Sequence, residues 1–200
     1  SQGLCFVGKI SLPQFLQQQL KAKVGDVIEI PQTLPAYTAY DQIPVTPENV
    51  KALAEPFTYS KDQGIVVAQH QGAHFYTIGQ RKGLHIGGRP QPSFVIGLDV
   101  ENNLVYSGQT DEHSGLNRWA LKIQNQDFNF VNTNYTFNDI NNLDCSLRIR
   151  YRQAHQKGKV IINDDGIYVL FDQKQRGITP GQFAAIYMGD ELIASGVIEQ

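Results

Sequence analysis

Cysteine is scarce in this sequence of 200 residues, which contains only Cys5 and Cys145. The two cysteines form neither a C-x-x-C pair nor the cysteine and histidine spacing of a zinc site, which argues against a disulfide scaffold or a zinc module. A reducing compartment fits such a composition, so we expect a cytoplasmic protein without a bound metal. Cys145 alternates with Leu147 and Ile149, which predicts a buried thiol in a strand.

Long apolar segments and nucleotide-binding motifs are also absent. No apolar run reaches the roughly 18 residues that a spanning helix needs, and no secretion signal is present. The P-loop pattern G-x-x-x-x-G-K-[ST] does not occur. The first residue is Ser1 rather than methionine, so we expect further chain upstream. The net charge of −2 gives no global signal for nucleic acid or membrane.

The pattern of apolar residues predicts a mainly β protein with one short N-terminal helix. Ser11 and Gln14 form an S-x-x-Q capping box ahead of apolar residues at helical spacing. Beyond Gly25, short apolar segments alternate with turn signals. The predicted strands and turns of the first half are a strand at 26–30, an excursion at 31–56 with a helical turn at 47–54, a hairpin of 65–70 with 73–78, and a hairpin of 94–100 with 104–107.

The second half contains six short strand segments in under ninety residues, which predicts a C-terminal antiparallel six-stranded β-barrel. The segments are 120–123, 145–153, 159–162, 167–171, 183–187 and 192–198. We therefore expect a linker segment at 1–24, a central small β domain at 25–112 and the barrel domain at 113–200. The paired His70 and His74 are interpreted as ordinary strand residues rather than metal ligands.

Acidic residues are missing from two segments. Residues 65–98 and 145–163 contain no aspartate or glutamate, whereas 99–144 contains seven acids and two bases. In a strand running through 145–153, alternation would place Arg148, Arg150 and Arg152 on one face, about 7 Å apart along the strand. Arginine forks suit phosphate oxygens. A solvated outer face is the simpler interpretation of such a strand alone, but the missing acids favour an anionic partner.

The other acid-free segment contains a glycine-rich loop at 79–88, with Arg81 and Lys82 at its centre. Glycines allow backbone amides to approach phosphates closely, although a turn between two strands explains the same composition. The composition of the loop alone leaves both interpretations open.

Several motifs together resemble the bacterial tRNA-specific 2-thiouridylases, in the order that this family has them. They are SQGLCFVG at 1–8, HQGAHFYTIGQRKGLHIGG at 70–88, DVENNLVYSGQ at 99–109, RIRYRQ at 148–153 and FDQKQRGITPGQFAAIYMGDELIASGVI at 171–198. The resemblance implies that the chain is the central and C-terminal part of such an enzyme, without the ATP-binding domain. It further implies a persulfide on Cys5 and tRNA contacts from Arg150, Tyr151 and Gln182. Given this resemblance, we add the prediction that Arg81 and Lys82 face RNA.

The implied reaction is ATP-dependent transfer of sulfur to C2 of the wobble uridine, position 34 of tRNA. ATP, bound by the upstream domain, adenylates the C2 oxygen, and the Cys5 persulfide attacks C2. A further cysteine in that upstream domain would form a transient disulfide with Cys5. A sulfur-relay protein would load Cys5, and the 200-residue chain alone would be inactive. Two alternatives remain open: a stand-alone RNA-binding β-barrel without catalysis, and a module whose arginines dock an acidic protein.

Overall fold

The computed structural model describes residues 22–199, which divide into two compact units. The first unit contains residues 22–31 and 59–111, and the second contains residues 32–58 and 112–199. The predicted N-terminal helix and Cys5 lie outside the described residues.

The first unit is a mixed sheet of four strands in the order β2-β1-β4-β3. Its strands are β1 (Gly25–Glu29), β2 (Ile65–His70), β3 (Ser93–Asp99) and β4 (Leu104–Gln109). β1 runs antiparallel to β2 and parallel to β4. The predicted hairpin of β3 and β4 is confirmed, and its turn places Asn103 at a φ of 57°, which asparagine tolerates better than most residues.

The predicted hairpin around Gln71-Gly72 is wrong. β2 pairs with β1 instead, and the chain after it forms a 3-10 turn at Ala73–Phe75. Side chains redirect the backbone there, because the Gly72 amide donates to His70 Nδ1 at 2.9 Å and the Ala73 amide donates to Asn103 Oδ1 at 2.9 Å. Ala73 then packs in the core of this unit with Val27, Leu84, Val95 and Val105.

The second unit is a closed six-stranded antiparallel barrel in the order β10-β5-β8-β7-β6-β9, which confirms the predicted fold. Its strands are β5 (Asn117–Phe130), β6 (Asp144–Arg148), β7 (Gln156–Asn163), β8 (Gly166–Arg176), β9 (Phe183–Met188) and β10 (Glu191–Ile198). Alternate residues of each strand point inward. The largest of the fully buried side chains inside include Leu121, Leu147, Phe171 and Ile186.

The excursion at 31–56 belongs largely to the barrel unit. It contains α1 (Pro35–Asp41), a 3-10 turn at Pro47–Asn49 and α2 (Val50–Ala54). Val50 and Leu53 are fully buried in a cluster with Tyr168 and Leu170 of β8. The Tyr40 hydroxyl donates to Leu53 O and accepts from the Trp119 amide, both at 2.8 Å. Burial raises the pKa of Tyr40 to about 12, so the hydroxyl that connects these elements keeps its proton at neutral pH.

A third short helix, α3 (Phe137–Ile140), connects β5 to β6. A capping box of Thr136 and Asp139 begins it, and its last residue, Ile140, is fully buried in the barrel core. In the part of the chain from 22 to 199, no helix has the length and hydropathy to cross a membrane.

Candidate nucleic-acid interface

The acid-free segment at 145–163 does not form the continuous strand that its alternation predicts. β6 ends at Arg148 and the following residues form a turn. The Ile149 amide donates to Gln153 Oε1 at 2.9 Å, and the Gln153 amide donates to Arg150 O at 3.1 Å. The predicted ladder of Arg148, Arg150 and Arg152 along one strand face is therefore wrong.

The turn exposes a residue that the alternation had placed inside. Continued alternation from Leu147 and Ile149 would put Tyr151 on the same apolar face, but the Tyr151 surface is 91% exposed, whereas Ile149 is buried. Arg152 is exposed next to it. The turn thus places the Tyr151 ring between two cationic residues, Arg150 and Arg152. A turn presents these residues, rather than the continuous strand that alternation predicts.

Arg150 is held in place by the barrel backbone. Its Nη2 donates to Gly177 O at 3.0 Å, directly after the end of β8. Burial, and secondarily the charge of Arg176, lower the pKa of Arg150. The guanidinium groups of Arg150 and Arg176 are close enough to repel each other, so a bound anion would stabilise the charged form of both.

Arg148 lies on the outside of the barrel against aromatic rings. Its guanidinium carbon is 5.7 Å from the centroid of the Tyr187 ring, and the His155 ring lies 4.7 Å from that of Tyr187. The Nε of Arg148 is buried and has no hydrogen-bond partner among the described residues. Arg148 is thus positioned by stacking rather than by an ion pair.

The charge balance around these arginines differs from that of the other cations. Within residues 22–199, no salt bridge involves Arg148, Arg150 or Arg152. Cations that do form salt bridges are Lys51, Lys61, Arg89, Lys122, Lys159 and Lys174. The turn after β6 is therefore an uncompensated positive site, which is the electrostatic requirement for binding phosphate.

Gln182 lies at the same end of the barrel. β6 runs antiparallel to β9, and the last residue of β6, Arg148, pairs with Ala185, so the turn after β6 leaves the barrel where β9 enters it. The Gln182 carbonyl accepts from the Ile198 amide at 2.8 Å. Its half-buried side-chain amide has no hydrogen-bond partner among residues 22–199 and is available to a ligand.

The glycine-rich loop of the first unit is an ordered surface. The Gly79 amide donates to Val95 O at 2.8 Å, and the Val95 amide donates to Gln80 O at 2.9 Å. Leu84 anchors the loop in the core at 2% exposure. Arg81 and Lys82 are exposed, and neither forms a salt bridge with any residue from 22 to 199.

The third cation of this segment, Arg89, is neutralised. Its Nε donates to Glu29 Oε2 at 2.9 Å, its Nη2 bonds Glu29 Oε1, and Gln109 donates to the same carboxylate. Arg89 therefore fastens the end of the loop to β1, whereas Arg81 and Lys82 remain open to an anion.

Comparisons with known proteins identify relatives of this chain. A family model described as an aminomethyltransferase beta-barrel domain matches residues 121–198, and one described as a tRNA methyl transferase PRC-barrel domain matches residues 55–109. The chain is 44% identical over 99% of its length to the tRNA-specific 2-thiouridylase MnmA of Christiangramia forsetii. Identity to the proteins of that name is 42% in Flavobacterium johnsoniae and 36% in Karelsulcia muelleri, again over 99% of the chain.

This chain belongs to the tRNA-specific 2-thiouridylase family. It spans about half the length of these relatives: 50% of the first two and 49% of the third.

The environment of the Cys145 thiol disfavours a reactive thiolate. Cys145 is 9% exposed in the barrel core, and its Sγ lies 3.6 Å from Gly158 O. Burial, and secondarily Asp144, raise the pKa of this thiol to about 12, whereas sulfur transfer requires thiolate. The predicted core role of Cys145 is confirmed, whereas Cys5 lies outside the described residues and its role stays a prediction.

The barrel unit also contains a cavity of about 330 Å³, but its charges are internally matched. Lys51 contacts Asp165 at 2.9 Å, and Lys122 contacts Glu199 at 2.9 Å. The buried Arg118 donates to Ala54 O. These ion pairs join α2 to the turn before β8, and β5 to the residue after β10, so the charged side chains that line the cavity have structural partners. Among the described residues, no group of three or more histidine, cysteine or acidic residues could hold a metal ion.

Sequence reasoning missed the aromatic residues beside the arginine turn. Phe183 is 61% exposed at the start of β9, next to Gln182. Arg148 stacks on the Tyr187 ring, and the His155 ring packs against Tyr187. The alternation of β9 contains a usable signal, because Ala184 and Ile186 belong inside the barrel and so place Phe183 and Tyr187 outside.

Proposed function

We propose that this chain is the tRNA-binding and sulfur-carrying part of a tRNA-specific 2-thiouridylase that modifies the wobble uridine. The observation that carries the proposal is the acid-free arginine turn at one end of the barrel, in a family whose named members are tRNA-specific. Arg148, Arg150 and Arg152 would bind the phosphate backbone, since guanidinium forks match phosphate oxygens. Tyr151 and Gln182 would contact bases or sugars, and Arg81 with Lys82 would add a second phosphate contact.

Sulfur transfer is assigned to Cys5. A sulfur-relay protein would deliver a sulfane atom to its thiolate and form the persulfide. ATP, bound in the half of the family's length that this chain does not cover, would convert the C2 oxygen of uridine into an adenylate. The terminal persulfide sulfur then attacks C2, and AMP leaves with that oxygen.

Completing the transfer requires cleavage of the remaining sulfur–sulfur bond. A second cysteine thiolate from the uncovered half of the enzyme would attack Cys5 Sγ, which leaves the thiocarbonyl on uridine and a disulfide on the enzyme. A thiol reductant would restore both cysteines. The 200-residue chain is therefore expected to bind tRNA in the cytoplasm but not to thiolate it alone.

Mass spectrometry of the full-length enzyme tests the sulfur-carrying role. After incubation with a sulfur donor, the peptide that contains Cys5 should gain one sulfur atom. Cys5→Ser should abolish thiolation and leave tRNA affinity nearly unchanged, while Cys145→Ser retains thiolation in any variant that folds. Thiolation by the Cys5→Ser variant would contradict the assignment of sulfur transfer to Cys5. tRNA binding without any sulfur on Cys5 would leave the alternative of an RNA-binding barrel without catalysis.

A further inference from the structure

The outer face of β6 and β9 carries exposed aromatic surface beside the arginine turn. On β9, Ala184 and Ile186 are fully buried, whereas Phe183 at the strand's first position is 61% exposed. Phe183, Ala185 and Tyr187 alternate with the buried residues, so they share the outer face.

Small and cationic residues complete this face. Ala185 pairs with Arg148 across the two strands, and its methyl group is the only side chain that β9 places between the rings of Phe183 and Tyr187. Arg148 lies over the Tyr187 ring at 5.7 Å. The face thus offers flat surfaces, namely two rings and a guanidinium plane, with little side-chain bulk between them.

A single exposed phenylalanine would need no explanation. Here, however, the turn that follows β6 adds Tyr151, which is 91% exposed, together with Arg150 and Arg152. Aromatic rings alternating with unpaired cations are typical of surfaces that bind single-stranded nucleic acid, since rings stack on bases and cations follow the phosphates. An acidic protein surface would match the cations but would not require the exposed rings.

We propose that the outer face of β6 and β9, from Phe183 to Tyr187, stacks against unpaired bases of the bound RNA. This inference rests on the proposed function and extends its contacts from the turn to a strand face. Bases inside a duplex already stack on both faces, so only a loop or a splayed-out base can use such a surface. The face therefore selects loop nucleotides rather than helical stems.

Replacement of Phe183 separates stacking from charge attraction. We would measure the affinity of the 200-residue chain for an unmodified tRNA transcript, a single-stranded RNA and a duplex of the same sequence. Phe183→Leu should weaken binding of the tRNA and the single strand roughly 5- to 100-fold. Because no phosphate contact is lost, the dependence of affinity on salt should keep its slope, and duplex binding should not change. Val131→Ala, an equally exposed apolar site at 56%, is the control and should have no effect.

A tryptophan at the same position gives a direct signal. Phe183→Trp should keep the affinity of the unchanged chain, and single-stranded RNA should quench its emission beyond the change seen with Trp119 alone. This arm decides the question if Phe183→Leu folds poorly.

Wild-type affinity in Phe183→Leu, an equal loss for the duplex, or an unquenched Phe183→Trp would each overturn the stacking face. A purified acidic protein that binds in place of RNA would also overturn it. If the unchanged chain binds none of the three RNAs, the proposed function itself fails.

Discussion

Two acid-free segments of this chain look alike in sequence and are used differently. The loop at 79–88 exposes Arg81 and Lys82 on an ordered backbone, whereas Arg89, which follows it, forms a salt bridge with Glu29 of β1. The turn at 149–152 fixes Arg150 on a backbone carbonyl, Gly177 O, so its charge is not neutralised. The comparison teaches that a cation's role depends on the element that reaches it in space rather than on nearby sequence.

The largest effect is expected from reversing the anchored charge of the barrel turn. Arg150→Glu should weaken tRNA binding at least about tenfold near 0.1 M salt and reduce the salt slope by about one, because one phosphate contact becomes repulsive. Lys61→Glu changes net charge equally at a cation already paired with Asp26 and is the matched control. Fluorescence anisotropy with labelled tRNA measures both. An equal loss in the two variants would mean that net charge alone controls binding.

The loop of the first unit should contribute less. Replacing both Arg81 and Lys82 with alanine should weaken tRNA binding roughly 3- to 10-fold, because exposed side chains contact phosphate without a fixed geometry. The same titration over salt concentration should show a slope smaller by up to about two. An unchanged affinity would confine the RNA interface to the barrel.

Gln182 tests whether the barrel end recognises more than phosphate. Gln182→Ala should weaken tRNA binding by roughly 2- to 10-fold through loss of a hydrogen bond and should leave the salt slope unchanged. Thermal unfolding should be unaffected, since Gln182 contributes only backbone hydrogen bonds to the described fold. A changed salt slope would indicate that the Gln182 side chain affects phosphate contacts rather than forming a neutral hydrogen bond.

Arg89 provides the opposite case. Arg89→Ala should leave tRNA affinity unchanged within about twofold, because its guanidinium is occupied by Glu29. The loss should appear in stability, as a lower urea midpoint of unfolding, since Glu29 is 8% exposed and would keep an unpaired charge. A strong loss of tRNA binding without a change in stability would contradict the division between structural and binding cations.

The smallest difference between the units should appear on mild acidification. Burial lowers the pKa of His70 in the first unit, and its Nδ1 accepts from the Gly72 amide, so the fold favours the neutral ring. The unfolded chain then binds the proton more readily, and stability falls as pH drops below about 6.5. Hydrogen exchange, corrected for its intrinsic pH dependence, should show lost protection in β2 before the barrel strands. His70→Gln should flatten this response, and equal loss in both units would contradict it.

The barrel was predictable because its strands are short, alternate cleanly and are separated by turn signals such as Asp164-Asp165-Gly166. The true pairing of β2 was not predictable, because β2 pairs with β1, which lies some forty residues earlier, and the side chains of His70 and Asn103 turn the chain away from a hairpin with 73–78. Alternation in sequence cannot reveal a partner that distant.

The site shows the same limit. The arginines of the RIRYRQ motif and their missing acids were visible in sequence, and they point to an anionic partner. The turn after β6 was not visible in the sequence, because it depends on the Gln153 side chain, which accepts from the Ile149 amide and ends the strand. Alternation therefore placed Tyr151 on the wrong side. The sequence predicts a helical turn at 47–54 within the excursion at 31–56, and the structure contains it. Only the structure shows that Val50 and Leu53 of this segment pack in the barrel unit.

The most direct test of the account is the affinity of the unchanged 200-residue chain for an unmodified tRNA, measured from about 50 to 300 mM salt. The arginine turn and the loop predict a linear fall of log affinity against log salt with a slope of at least about two in magnitude. No binding at the lowest salt, or an affinity independent of salt, would contradict it.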